Sequence, residues 1–246
     1  MKEKVAISFT IILVLIYAFQ NNYPSFMYYF SNIFPIIISG MVFSISLLSL
    51  KKYYSSFGSI FSKIWTAISI GLGLWFLGEL TWGIYTIIFS WEVPYPSIAD
   101  LFWISGYIPM ILGFLLYAET FAKILPKTRR IGILTMASIY IISIISTLMP
   151  ILKNNLLELI LSLIYPILDV FLIYSTMLGI AIFFKGKIWK SWIMLCLGFI
   201  CYAMADILFS YTIALGIYRP GNPLELFFHI GYILLILAIL EHKKEL

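Results

Sequence analysis

The sequence predicts an all-α, polytopic membrane protein of eight transmembrane helices, and composition, the lengths of the apolar runs and the placement of basic residues carry that expectation. Of 246 residues, 62% are hydrophobic and only 11% charged, against about 25% charged in soluble domains. Eight apolar runs match a hydrocarbon core about 30 Å thick: Val5 to Gln20, Met27 to Leu50, Ile64 to Ser90, Ile98 to Phe121, Ile131 to Ile151, Leu156 to Phe184, Trp189 to Ile217 and Leu224 to Leu240. Period-two alternation, the mark of a barrel, is absent, which leaves helices.

Basic residues set the orientation. Lys2, Lys4, Lys51, Lys52, Lys63, Lys123, Lys127, Arg129, Arg130, Lys185, Lys187, Lys190, Lys243 and Lys244 all fall on one side of an eight-span arrangement, and only Lys153 and Arg219 on the other. The positive-inside rule then places both termini in the cytoplasm. The net charge of +5 arises in these loops. It suits contact with anionic membrane lipids and calls for no nucleic-acid partner.

Taken in order, span one follows Lys2 and Lys4. It reads as retained, because Tyr17, Ala18, Phe19 and Gln20 offer no small-x-small cleavage site. Span two contains Pro35. Span three carries Glu79 in its middle, with Trp75 at i−4 and Trp82 at i+3, so the carboxyl shares a face with two indoles. Span four opens on Ser97-Ile98-Ala99-Asp100, a capping-box arrangement, and ends on Glu119 and Lys123, an i,i+4 ion pair. Span five is apolar and holds no candidate site residue.

Span six contains Tyr165-Pro166-Ile167-Leu168-Asp169. A mid-helix proline frees a carbonyl and bends the helix, so Asp169 is expected to line a polar cavity there. Span seven places Asp206 between Tyr202 and Phe209, the same spacing as around Glu79, and holds Cys196 and Cys201. The two cysteines lie about 140° apart around a helix, too far to bridge. Span eight follows Asn222-Pro223-Leu224-Glu225, with Pro223 suited to a first helical position and Glu225 to the capping site. His229 and Tyr232 share the face of Glu225, and the only other histidine, His242, falls in the tail after the span. Glu225 and His229 are therefore expected as a hydrogen-bonded pair, not a metal site.

An internal repeat is also expected within this single domain of residues 1–246, with halves of about 1–125 and 126–246. A shift of 127 residues places Gly71 on Gly198, Trp75 on Tyr202, Gly78 on Ala205, Glu79 on Asp206 and Trp82 on Phe209. A shift of 125 places Asp100 on Glu225, Phe102 on Phe227, Gly106 on Gly231 and Tyr107 on Tyr232. Four helices per half gives a parallel 4+4 repeat about an axis along the membrane normal.

Burial of Glu79, Asp100, Asp169, Asp206 and Glu225 with no Lys or Arg placed to neutralise them from within, Lys190 lying at the cytoplasmic edge of span seven, requires a shared polar interior or cavity, since a carboxylate at a bilayer centre costs about 2.5 to 3.5 kcal/mol. Glu79 and Asp206, matched in depth and aromatic flanks, are expected to face one another across the repeat axis. With Asp169, Asp100, Glu225, Trp82, Tyr107, His229 and Tyr232 they form the candidate ligand-binding set. No serine, cysteine or metal constellation marks a catalytic centre, and the residues call for no metal or cofactor.

Several motifs together resemble the amino-terminal multi-helix membrane module of some bacterial GGDEF/EAL-type signalling proteins: Gly78-Glu79 with Trp82 and Tyr85, Pro94, Pro96-Ser97-Ile98-Ala99-Asp100 with Gly106-Tyr107, Tyr165-Pro166-Ile167-Leu168-Asp169, Ala205-Asp206, and Gly231-Tyr232. The resemblance spans about Gly71 to Leu240. It implies a sensor-like module in a prokaryotic plasma membrane whose acidic positions include the five carboxyls. Only Glu241 to Leu246 follow Leu240, so the expectation is a stand-alone version or one that signals through a separate partner.

The leading expectation is thus an integral-membrane receptor or binding module, its cavity lined by these acids and by Trp75, Trp82, Trp103, Tyr107, Tyr202 and Tyr232. Such a lining suits a lipidic or small organic ligand with a cationic or hydroxylated head. The alternatives are a membrane-embedded lipid or isoprenoid enzyme using carboxyl acid/base chemistry, and a proton- or cation-coupled transporter.

Overall fold

The computed structural model describes residues 2–52, 58–90, 93, 96–121, 131–135, 138, 140–142 and 156–245, and all regular structure among them is helical. Helix α1 (Lys2–Ala18) leads through a short turn (Gln20–Asn22) to α2 (Pro24–Lys52). Next come α3 (Ile60–Gly83), prolonged by one π-turn (Ile84–Ile88), and α4 (Ile98–Thr120). Helix α5 is described at residues 131–135, 138 and 140–142. The chain ends with α6 (Leu156–Ile182), α7 (Trp189–Ala214) and α8 (Glu225–Glu245).

Six helices, α2, α3, α4, α6, α7 and α8, are long and apolar enough to cross a membrane. The make-up is that of an integral membrane protein. Helix α1 has 17 residues, a length of about 26 Å against a core of about 30 Å. Span five beyond Ile142, Pro94, Lys123 with its expected partner Glu119, Lys127, Arg129, Arg130 and Lys153 involve positions outside the described residues.

Local chemistry explains most of the boundaries. Pro24 opens α2, where a missing N–H costs nothing. Ser59 caps α3 by accepting the Ser62 N–H at 3.2 Å. Helix α7 ends in a Schellman arrangement: Gly216, at φ 66°, donates its N–H to Ile213 O, and the Ile217 N–H reaches Thr212 O. That turn folds the following loop back so that Tyr218 meets the start of α8. Many serines and threonines of the apolar helices need no function, because their hydroxyls donate to a carbonyl one turn back, as Ser46 does to Phe43 O and Thr66 to Ser62 O.

Both ends of helix α8 differ from expectation. Helix α8 begins at Glu225, with Pro223 still in the preceding turn. At its other end α8 runs on to Glu245 and carries His242 into the core. Leu235, Ala238, Ile239 and His242 form one buried stripe at helical spacing. The His242 ring packs against Trp65, and its Nε2 lies 3.0 Å from the Tyr117 hydroxyl.

Helix α3 packs along α4, and α7 along α8; α2 lies against both α3 and α8, α6 against both α7 and α4, and α1 against α8. Small residues line the α3/α4 and α7/α8 crossings. A Cβ on Gly71 would run into Met110 and come within 2.5 Å of Gly106 O, and one on Gly106 would lie 2.6 Å from Trp75 and 2.8 Å from Gly71 O. The α7/α8 crossing is looser at Gly198, where the nearest atom, Gly231 O, would be 3.3 Å away. Gly71→Ala is therefore expected to destabilise the bundle by about 1 to 3 kcal/mol. Gly198→Ala should cost far less, a contrast that thermal unfolding of the two variants in detergent would measure.

Candidate functional site

Glu79 lies between Trp75 and Trp82 on one face of α3, and Asp206 between Tyr202 and Phe209 on one face of α7. The two aromatic faces meet: the Trp75 and Tyr202 rings are 4.6 Å apart, and those of Trp82 and Phe209 6.1 Å. Between these faces and the starts of α4 and α8 lies a cavity of about 100 Å³. Glu79, Asp100, Asp206 and Glu225 all line it, together with Trp82, Tyr107, His229 and Tyr232 from the expected set. Among the described residues no Lys or Arg contributes to its wall.

Every one of the five carboxyls meets a tyrosine hydroxyl. Tyr232 donates to Glu79 Oε1 at 2.8 Å, and Tyr165 to Asp100 Oδ1 at 2.8 Å. The Tyr107 hydroxyl stands between two acids, 2.7 Å from Asp169 Oδ1 and 3.0 Å from Asp206 Oδ2. Glu225 accepts from Tyr17 at 2.8 Å and from Tyr218 at 3.2 Å, and also from the Gly221 N–H at 2.9 Å. Tyr218 lies in the loop before α8, where burial and then the Glu225 carboxyl hold its phenol protonated well above the usual range.

The capping expectation is met at Asp100, whose Oδ2 accepts both the backbone N–H and the hydroxyl of Ser97, at 2.6 and 2.9 Å. Its other oxygen serves the cavity side through Tyr165, so one carboxyl caps a helix and ties α6 to α4. At Glu225 the expected box is replaced by a reach back to Gly221, while Asn222 Oδ1 accepts the Leu224 N–H. That pattern follows from Pro223 lying before the helix and not within it.

Two relations differ from those expected. Asp169 is fully buried and is not among the cavity-lining residues; the Tyr107 hydroxyl links it to Asp206. Glu79 and Asp206 line the same cavity, Glu79 held by Tyr232 and Asp206 linked to Asp169. Glu225 and His229 are bridged by the Tyr17 hydroxyl, which is also 2.8 Å from His229 Nε2.

Tyr17, Tyr165 and Tyr218 were not among the expected site residues. The signal available for them was chemical: a carboxyl buried without Lys or Arg requires some other donor, and a phenol supplies one without adding charge. Trp75 and Trp82 have their indole N–H groups committed, to Trp103 O at 3.1 Å and to Asn32 Oδ1 at 3.2 Å. Two lining groups have no hydrogen-bond partner among the described residues, the Tyr202 hydroxyl and His229 Nδ1. Among those residues no three His, Cys, Asp or Glu side chains gather as metal ligands.

The class so defined is an α-helical, membrane-type bundle built around an acidic and aromatic internal cavity. No protein-family model, curated protein or solved structure matches the chain at a significant level.

The Asp100 contacts generate a test of the phenol's role. Tyr165→Phe removes the donor to a carboxyl that is only 5% exposed, and should cost about 1 to 3 kcal/mol of stability. The same change at the exposed Tyr211 should be near neutral, which unfolding measurements on both variants would check.

Proposed function

We propose that the protein is an integral-membrane binding module whose cavity receives a small organic or lipidic ligand with a cationic or hydroxylated head. One observation carries the reading: four carboxyls and a wall of indole and phenol rings surround a single cavity that, among the described residues, no Lys or Arg lines. Ionised carboxylates only accept hydrogen bonds, and aromatic faces attract positive charge. The unpartnered Tyr202 hydroxyl and His229 Nδ1 add polar groups for a ligand to meet.

In this reading all eight helices span a prokaryotic plasma membrane, with both termini cytoplasmic on the strength of the basic-residue bias. The cavity then faces the outer half of the bilayer, because α3 and α7 run outward toward it and α4 and α8 start beside it. The motif resemblance to membrane modules of GGDEF/EAL-type proteins favours a sensory role.

We also propose the parallel 4+4 repeat as the frame of the site. Under it, α2 and α6 are equivalent, and each packs on the third helix of its own half and the fourth helix of the other. Trp75 meets its counterpart Tyr202, and Trp82 meets Phe209, the self-contacts that occur at a two-fold axis. Tyr232 donates to Glu79 while Tyr107 contacts Asp206, so each half's tyrosine serves the other half's acid.

The test is native mass spectrometry of the purified protein. Wild type should retain a small organic molecule or lipid that Glu79→Gln combined with Asp206→Asn loses, at unchanged helicity by circular dichroism. Retention undiminished in that double variant would place the ligand elsewhere and sink the reading, and multiple turnover of a retained lipid would replace it with the enzyme.

A further inference from the structure

We propose that the cavity takes up an organic cation in exchange for a proton, and that the proton released is one held by Asp169 and Asp206 through Tyr107. The inference rests on the binding-site reading and adds the ligand's chemical class and the coupling.

The geometry begins with proton counting. The Tyr107 hydroxyl is within hydrogen-bond reach of Asp169 Oδ1 and Asp206 Oδ2. A phenol has a single proton to donate, and two ionised carboxylates have none. One carboxyl takes the phenol proton, and the other completes the arrangement by donating its own to the phenol oxygen. The couple therefore holds one acid proton, which also relieves the repulsion of two adjacent negative charges.

Among the described residues its surroundings supply no substitute cation. The titratable groups around Asp206 are Tyr107 and Asp100 on α4, Asp169 on α6, Glu79 on α3, Tyr232 on α8 and Tyr140 on α5, all of them acids or phenols. Of the two coupled carboxyls only Asp206 faces the cavity. When the couple loses its proton both carboxyls are ionised; the phenol hydrogen bond turns to Asp169, and the Asp206 carboxylate faces the cavity, where a ligand can meet it.

The wall selects the ligand class. The indole N–H groups of Trp75 and Trp82 are spent on Trp103 O and Asn32 Oδ1, which leaves the wall rich in π-faces and acceptor oxygens. Such a wall favours an organic cation over an anion. The Tyr202 hydroxyl, 3% exposed and with no partner at hydrogen-bond geometry among the described residues, is a further group for that ligand. The exchange balances: the carboxyl O–H bond breaks with its electron pair staying on oxygen, the proton leaves to water, and the cation pairs with the carboxylate. The charge inside the bundle does not change, so uptake avoids the cost of burying an unpaired ion.

The experiment is calorimetric titration of the full chain in lipid nanodiscs with tetramethylammonium chloride, in two buffers of different ionisation enthalpy. Close to one proton should leave per cation bound, and affinity should rise about tenfold per unit increase in pH while the couple stays protonated. Asp169→Asn should still bind the cation but release less than about half as much proton, because the shared proton is no longer needed. Asp206→Asn, a second variant should the first not fold, should release none.

Cation binding by wild type without proton release, or undiminished release in either variant, would overturn the exchange and leave the binding-site reading standing. Equal release with sodium chloride would overturn the organic class. No binding of tetramethylammonium would overturn the inference outright, while ligand retention in native mass spectrometry would still decide the broader reading separately.

Discussion

The hydrogen bond between a phenol and a carboxyl is the interaction on which this bundle depends. The helices that these bonds join differ in each case: α8 to α3 through Tyr232 and Glu79, α6 to α4 through Tyr165 and Asp100, α4 to α6 and α7 through Tyr107, and α1 to α8 through Tyr17 and Glu225. In lipid, apolar side chains gain little by leaving one helix surface for another, so packing and polar ties decide which helices pair. A single tie contributes about 0.6 kcal/mol on average. Leaving its carboxyl unpaired costs more, about 1 to 3 kcal/mol or above. The ties therefore act chiefly as a penalty on wrong arrangements.

Close helix approach makes those bonds geometrically possible. With Gly71 against Gly106, α3 and α4 come near enough for Trp75 to span the crossing and donate to Trp103 O. The same indole lies 5.0 Å from the Tyr107 ring and 4.6 Å from Tyr202, so one side chain sets the position of two phenols. At the other side of the cavity, the Schellman turn at Gly216 places Tyr218 beside Glu225. Backbone features with no polar chemistry of their own thus determine where the carboxyls find their donors.

Much of this was legible in the sequence, for identifiable reasons. The helical class and six long apolar helices follow from composition and run length, signals that need no tertiary information. Trp75, Glu79 and Trp82 could be placed on one face because i, i+4 and i+7 share a face in any helix, and Asp100 could be read as a cap because its partner Ser97 is three residues away. What could not be read were partners distant in sequence: Tyr17 lies 208 positions from Glu225, and nothing local joins them. His242 was misplaced because a run of apolar residues ends at Leu240, whereas its buried stripe continues by periodicity and not by hydropathy. Asp169 was expected in the cavity because Pro166 suggested an opening; instead it is fully buried and linked to the cavity-lining Asp206 through the Tyr107 hydroxyl.

The choice of donor has a consequence beyond stability. Had Lys or Arg paired with the buried acids, each carboxylate would be charge-balanced from within, and a long basic side chain would occupy the space that the cavity leaves. A phenol donates equally well to one oxygen while bringing no charge and only a rigid ring. At Glu79 and Asp206, which both line the cavity, the phenol engages one carboxyl oxygen. The arrangement that lets five carboxyls be buried is thus also the one that leaves the interior receptive to a positive group from outside, so the fold and the proposed site are two results of the same substitution of tyrosine for a cation.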